Sequence, residues 1–304
     1  MASPRNKYEW RDRKDNGSLR RLFPSSLDGA NHVSKMLDCL PILVDVQRRQ
    51  SQRHNATLIV MPIFQLDRAE DAPFPPVDLA CHDPPGLLAT GGDLSCVRLL
   101  TAYRSGIFPW FDETTRYFWW SPDPRAVFDS GQIHLDSRFR RWMRLHCHWH
   151  LRADTLFATV VKTCAEIARP GQQGTWMTAE MQSAYRHLHT HGYAHSVEVL
   201  AGDTLVGGLF GLAIGRMFFA ESMFSRQSGG SKVALAALGR FLTNRGAPLI
   251  DIQFLTPHLA RLGAHTLSRT EFIQRLSQLT QQPPLPANWS TLFPDQAATT
   301  VLAS

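Results

Sequence analysis

The chain has 304 residues, 43% hydrophobic and 19% charged, enough for one large domain or two modest ones with a real core. The net charge of +6 points to an acidic partner, but residues 1–60 hold 11 Lys+Arg against 6 Asp+Glu and so carry most of it, which leaves the remainder at +1. No run of about 18 apolar residues exists and no apolar block follows MASPRNKYEWRDRKD, so neither a membrane span nor a signal peptide is expected, and a cytoplasmic protein is.

Residues 1–60 are polar and basic, with only short apolar pieces such as LPILVDV. They read as a poorly ordered extension, with the true start near Met61; the alternative is a basic arm for nucleic acid. From Phe74, FPPVDLACHDPPGLLATGGDL is loops and turns. LSCVRLLTAYRSGIF places Val97, Leu99, Leu100 and Tyr103 at near-helical spacing, with Ser95 as N-cap and Gly106 as the stop. Residues 61–125 are therefore expected to form a small N-terminal domain. Beyond them, DTLFATVVKTCAEIA (154–168) predicts an amphipathic helix capped by Asp154, and TAEMQSAYRHLHTHG (178–192) a second one running from Thr178 to Gly192. HSVEVLAGDTLVGGLFGLAIGRMFFAESMF reads as strands joined by turns at AGD and IGR. A helix over 231–246, a buried strand over 248–255, a short helix at HLARLGA and a last helix from near Thr270 complete the pattern. Mixed strands with helices on their faces make an α+β fold.

Several chemistries lack their signatures. There is no G-x-x-x-x-G-K-[ST], H-E-x-x-H or G-x-S-x-G, and GGLFGLAIG (207–215) lies inside strands rather than before a helix. The five cysteines contain no C-x-x-C pair, so neither a disulfide framework nor a zinc ribbon is suggested. On a strand, His146, His148 and His150 of HCHWH would share one face and could hold zinc. No carboxylate that could orient those imidazoles is evident nearby, and a partly exposed strand without metal is the preferred reading.

What remains is a series of long strings: GLLATGGDL, RLLTAYRSGIFPWF, WWSPDPRAVF, GTWMT, AYRHLHTHGYAHSVEV, LVGGLFGLAIG, ESMFS and LIDIQF followed by HLARLGA. In this order they closely resemble the leucyl/phenylalanyl-tRNA–protein transferases, over about residues 62 to 276. The resemblance implies transfer of leucine or phenylalanine from aminoacyl-tRNA to the N-terminal amine of proteins that begin with Arg or Lys, which marks them for bacterial proteolysis. It implies a small N-terminal α/β domain followed by a GCN5-related acetyltransferase-like (GNAT-like) catalytic domain over 126–304. Because the aminoacyl ester is already activated, no ATP, metal or other cofactor is expected, and the protein is expected to act as a monomer.

The resemblance also distributes roles. Trp110 and Trp176 match the tryptophans that contact the terminal adenosine, with Pro109 stiffening the loop; Trp119 and Trp120 are expected in the core or at a domain interface. Leu209, Phe218, Met223, Leu238 and Ile250 match the amino-acid pocket, although Leu209 and Leu238 stand where relatives often carry Met and Phe, and Ala220 replaces a common Gly. One methylene alters discrimination by only about 1–3 kcal/mol, so leakage to methionine is within reach. Asp251 and Gln253, two residues apart on one strand, are expected to share a face, with Asp251 orienting the acceptor ammonium and helping to accept its proton and Gln253 positioning it. Glu221 is expected to position a substrate amine or the acceptor's cationic side chain. Arg138, Arg140, Arg141 and Arg144 are candidate phosphate contacts, with Arg125 and Lys232 behind them. Two rivals remain: an acetyltransferase using SRQSGGSK (225–232) as a pyrophosphate turn, and a tRNA-binding protein without catalysis.

Overall fold

The computed structural model describes residues 63–69, 72–111, 117–167 and 176–302. The basic extension over 1–60 and the suggested start at Met61 lie outside the described residues.

Residues 64 to 120 build a four-stranded sheet in the order β1 (Phe64–Leu66), β2 (Leu87–Gly91), β4 (Phe118–Trp120), β3 (Phe108–Pro109); β1 and β2 are parallel and the other pairs antiparallel. Helix α1 (Cys96–Arg104) precedes β3. The Ser95 side chain caps it by accepting from the Arg98 N–H at 3.2 Å, and Gly106, at φ 74°, turns the chain out of it. Leu99, Leu100 and Tyr103 are buried, but Val97 is 50% exposed, because it lies on the outer side of a helix that has only one covered face.

The larger sheet has eight strands in the order β11 (His265–Leu267), β5 (Arg125–Asp129), β10 (Leu249–Gln253), β9 (Met217–Ser225), β8 (Thr204–Ile214), β7 (Ala194–Ala201), β6 (Trp149–Ala153), β12 (Gln296–Ala297). Only β9 and β10 pair in parallel. The turns between β7, β8 and β9 sit at Gly202 and Gly215, both left-handed, where AGD and IGR predict them. Helices α3 (Phe157–Glu166) and α4 (Ala179–Thr190) belong with the core that includes the smaller sheet, while α2 (Ser137–His146) and α5 (Gly230–Thr243) enclose the second core. Short α6 (Pro257–Arg261) follows β10, α7 (Arg269–Thr280) follows β11, and α8 (Trp289–Leu292) packs near β6. The result is an α+β fold with helices on both faces of a mixed sheet.

Helix α3 starts two residues later than a cap at Asp154 would place it. Asp154 does not cap it; at φ 57° it turns its carboxylate to β7, accepting from the Ser196 N–H at 2.8 Å and meeting His195 Nδ1 at 2.7 Å. The other side of the His195 ring stacks on Trp289, which fixes α8 to the sheet. At its first residue helix α5 meets β8 with no side chain between them. A Cβ added to Gly207 would lie 2.5 Å from Gly230, so backbone meets backbone.

Candidate active site

The two cores leave two cavities on the C-terminal side of β10. The first, about 180 Å³, is lined by the β3 loop (Phe108, Pro109, Trp110), by Trp176 and by Phe254 and Thr256. The second, about 110 Å³, is lined by Phe128, Leu209, Ala220, Met223 and Leu235. Glu221, Ile252, Gln253 and Leu259 line both and form their common wall.

In the first cavity Trp110 is held rigidly. Its N–H donates to the Phe118 carbonyl at 3.0 Å, its own carbonyl accepts from Trp120 Nε1 at 2.8 Å, and its ring leans on Phe254 at 5.4 Å. Trp110 and Trp176 both keep an edge on the cavity while largely buried. Trp119 and Trp120 are fully buried core residues, with Trp119 Nε1 donating to the Gly91 carbonyl at 2.9 Å. Fixed aromatic surface beside a polar wall suits a flat heterocycle.

The second cavity receives Leu209 and Met223 from the expected pocket set. Phe218, Leu238 and Ile250 are also completely buried but do not line it. Ile250 sits one pleat behind Ile252 on β10, Phe218 faces Trp289 at 5.7 Å, and all three belong to the packed core. Ala220 and Leu235 occupy the wall in their place.

The polar centre departs from the expected geometry. Gln253 has φ 58°, and the β10–β5 register shifts between Asp251 and Gln253. The alternation of a flat strand is broken there, so Gln253 lines both cavities and Asp251 lines neither. Asp251 is wholly buried and its two oxygens are taken by Arg125, through Nε at 2.8 Å and Nη2 at 2.7 Å; one of them also accepts the Gln253 N–H at 3.0 Å. It orients Gln253 from behind rather than facing a substrate amine.

Arg125, read from sequence as a reserve phosphate contact, is buried at 1% exposure and unavailable for that role. Its Nη1 donates to the Gly106 carbonyl at 3.0 Å, and its guanidinium lies 4.7 Å from the centroids of both Phe108 and Phe272. One guanidinium thus ties the tryptophan-bearing loop, β10 and α7 together.

Glu221 is the carboxylate at the junction. Tyr185 donates to its Oε2 at 2.6 Å, and the Tyr103 hydroxyl lies 3.0 Å from that of Tyr185. Burial pushes the Glu221 carboxyl up to about 7; the Tyr185 and Tyr103 hydroxyls pull it down, Asp251 adds to the rise and Arg125 opposes it. Both phenols are held well above their ordinary value by burial and by Glu221, so they remain donors. In one amide orientation Gln253 Nε2 donates to Glu221 Oε1 at a long 3.5 Å; in the other, favoured because it satisfies both amide atoms, the nitrogen donates to the carbonyls of Ile252 at 3.0 Å and Ala220 at 3.2 Å. Its amide oxygen then faces Glu221, and two oxygen acceptors opposed in this way suit a cation or a protonated carboxyl between them. Neither tyrosine carries a signal in the sequence, because they meet from helices 82 positions apart.

Three of the four α2 arginines, Arg138, Arg141 and Arg144, are exposed; Arg140 is half-buried and reaches the Leu302 carbonyl at 3.5 Å instead. The HCHWH imidazoles do not share a strand face: His146 ends α2, and only His150 lies in β6, where it pairs with Asp295 at 3.3 Å. The turn before α5 is filled. A Cβ on Gly229 would meet the Phe139 ring at 2.4 Å, and the Ser231 N–H is taken by Ser225 Oγ at 2.8 Å, which leaves no cradle for a pyrophosphate.

Residues 127–277 match the model of the leucyl/phenylalanyl-tRNA protein transferase family, and residues 92–123 match that family's N-terminal domain. A leucyl/phenylalanyl-tRNA–protein transferase of Xylella fastidiosa (strain M23) is 56% identical over 230 residues, 76% of this chain and 94% of the relative. The chain belongs to the leucyl/phenylalanyl-tRNA–protein transferase family. A second member, from Xanthomonas axonopodis pv. citri (strain 306), is 53% identical over 238 residues, 78% of this chain and 95% of its own length. Membership makes the chain an aminoacyltransferase. A solved structure of L-PGS from Bacillus licheniformis is a distant neighbour, with a TM-score of 0.33 and 8% identity over 55% of this chain and 52% of that one. Among the described residues no helix is long and apolar enough to cross a membrane.

Proposed function

We propose that this aminoacyltransferase moves leucine or phenylalanine from aminoacyl-tRNA to the N-terminal amine of cytoplasmic proteins that begin with Arg or Lys, acting as a monomer and marking its targets for proteolysis. The observation that carries the reading is the pair of abutting cavities with Glu221 and Gln253 in their common wall. The terminal adenosine stacks between Trp110 and Trp176, the amino-acid side chain enters the apolar cavity at Leu209 and Met223, and the ester carbonyl then lies beside Glu221 and Gln253. Residues 126–304 are read as the GNAT-like catalytic unit and 61–125 as the smaller domain that supplies the stacking loop.

The reaction needs a neutral amine at an ester that is already activated. The acceptor ammonium sits between the Glu221 carboxylate and the Gln253 amide oxygen, and Glu221 takes one proton from it. The amine nitrogen attacks the carbonyl carbon, the bond to the ribose 3′ oxygen breaks, and that oxygen leaves with the second amine proton as the hydroxyl. Asp251 and Arg125 act behind the wall as positioning residues, holding the Gln253 backbone in its left-handed turn. The test is direct: purified protein, labelled leucyl-tRNA and a peptide with N-terminal Arg, without ATP or acetyl-CoA. Label should move to the peptide, and an N-acetylated copy of it should receive none. An unlabelled Arg peptide with the leucyl-tRNA still intact would refute the proposal.

A further inference from the structure

We propose that Lys232, His258 and Arg261 form a phosphate-binding rim that leads the unpaired 3′ strand of the tRNA from the two cavities to the arginines of α2. The inference rests on the reading of those cavities as an aminoacyl-tRNA site. Leu235 of α5 and Leu259 of α6 line the side-chain cavity. Lys232 stands about one helical turn before Leu235 on the same side of α5, and His258 and Arg261 neighbour Leu259 in the short α6, so all three stand on the two elements that wall the cavity without lining it.

Lys232 also reaches α2. Its Nζ lies 3.9 Å from the carboxylate of Asp136, the N-cap of α2, and 5.2 Å above the Phe139 ring. It therefore adjoins the first turn of α2, where Arg138 begins an exposed row that Arg141 and Arg144 continue, each about 4.5 Å further along the axis. Among the described residues Arg138, Arg141, Arg144 and Arg261 make no ion pair with an acid, and Asp136 is the one acid that Lys232 meets. Burial, then Lys232, then Arg261 hold the His258 imidazole below its ordinary value, so both cations act on it. It adds a hydrogen bond where its neighbours add charge. Leu259 of α6 lines the adenosine cavity as well as the side-chain cavity, so a strand leaving the adenosine at Trp110 and Trp176 past α6 meets Arg261 and His258 and then Lys232. Arg261, Lys232 with one acid beside it, and the exposed arginines of α2 make a run of positive charge that matches a polyanionic strand.

The test uses the full-length protein carrying Lys232→Ala and Arg261→Ala together. Affinity for uncharged tRNA is measured by fluorescence anisotropy from about 50 to about 200 mM salt, and turnover is measured with a 3′-leucyl adenosine that carries no phosphate. The variant should bind tRNA about tenfold more weakly, with a log–log salt slope shallower by about 1.4, the value for two lost contacts to a single strand. It should use the leucyl adenosine at the wild-type rate, and Lys232→Arg with Arg261→Lys should restore the slope. Unchanged tRNA affinity and slope overturn the rim. So does an equal loss with both substrates, which would make these residues part of the cavity. Because tRNA binding is read without transfer, a wild-type protein that binds tRNA but transfers nothing would refute the proposed function and still give its own answer on the rim.

Discussion

Replacing Arg125 by Met leaves the Asp251 carboxylate buried with a single backbone donor, the Gln253 N–H, in place of three. An ion pair this deeply enclosed loses about 3–5 kcal/mol when one partner is removed, because the remaining charge is desolvated and uncompensated. For a protein of this size the melting temperature should fall by about 6–20 °C. The same cost is expected for Asp251→Leu. The pair should be strongly non-additive: Arg125→Met with Asp251→Leu removes both charges and fills the space with apolar atoms, and should recover to within about 1–2 kcal/mol of wild type. Thermal and urea unfolding of the four proteins measure this cycle. The folded double variant should still be nearly inactive, because the Gly106 carbonyl has lost its donor and Gln253 its anchor, so the stacking loop and the polar wall are no longer registered against each other. Single variants costing under about 1 kcal/mol would refute the argument that this pair is a closed internal bridge, and a double variant with full turnover would refute its positioning role.

Glu221 gives a pH signature. Its carboxyl is raised in the folded state to about 7 from an ordinary 4.5, so the folded protein binds the extra proton between those values and stability falls as pH rises from about 4.5 to about 7, then levels. Glu221→Gln should flatten that part of the stability profile and remove the rise in kcat/KM through about pH 7, leaving only the acceptor amine's own titration near 8; an unaltered pair of profiles would dissociate Glu221 from proton transfer. Trp110→Ala and Trp176→Ala should each weaken aminoacyl-tRNA binding by about 1–3 kcal/mol, read as a roughly 5- to 150-fold higher KM, and an unmoved KM would remove that ring from the stacking site. Ala220→Gly widens the side-chain cavity by one methyl and should shift the ratio of kcat/KM toward phenylalanine over leucine by up to about tenfold; a fixed ratio would place selectivity elsewhere.

Most elements are legible in the chain because their local signals agree with their tertiary setting. Ser95 caps α1 and Thr178 caps α4 where polar residues precede apolar periodicity, and glycines end the β7–β8 and β8–β9 hairpins. Asp154 misleads because a carboxylate can cap a helix or bond a neighbouring strand, and only the three-dimensional contact with Ser196 and His195 decides. The site is legible in its residue types but not in its facing. Period-two alternation puts Asp251 and Gln253 together, and a left-handed residue with a register slip separates them. Phe218, Leu238 and Ile250 are as apolar as the residues that line the cavity, so composition cannot say which layer touches a ligand. Arg125 shows the same limit: nothing in a string of amino acids distinguishes a cation bound for solvent from one enclosed between two phenylalanines.

The meeting of Gly207 with Gly230 has a consequence for what the side-chain cavity can admit. Helix α5 carries Leu235 on one wall and β8 carries Leu209 on another, so the bore between them is gauged by how far the helix can settle onto the strand. Two absent methyl groups are the shim stock of this gauge: an alanine at either glycine would lift the helix bodily and retune the opening from a distance, with every residue that touches the cargo left unaltered.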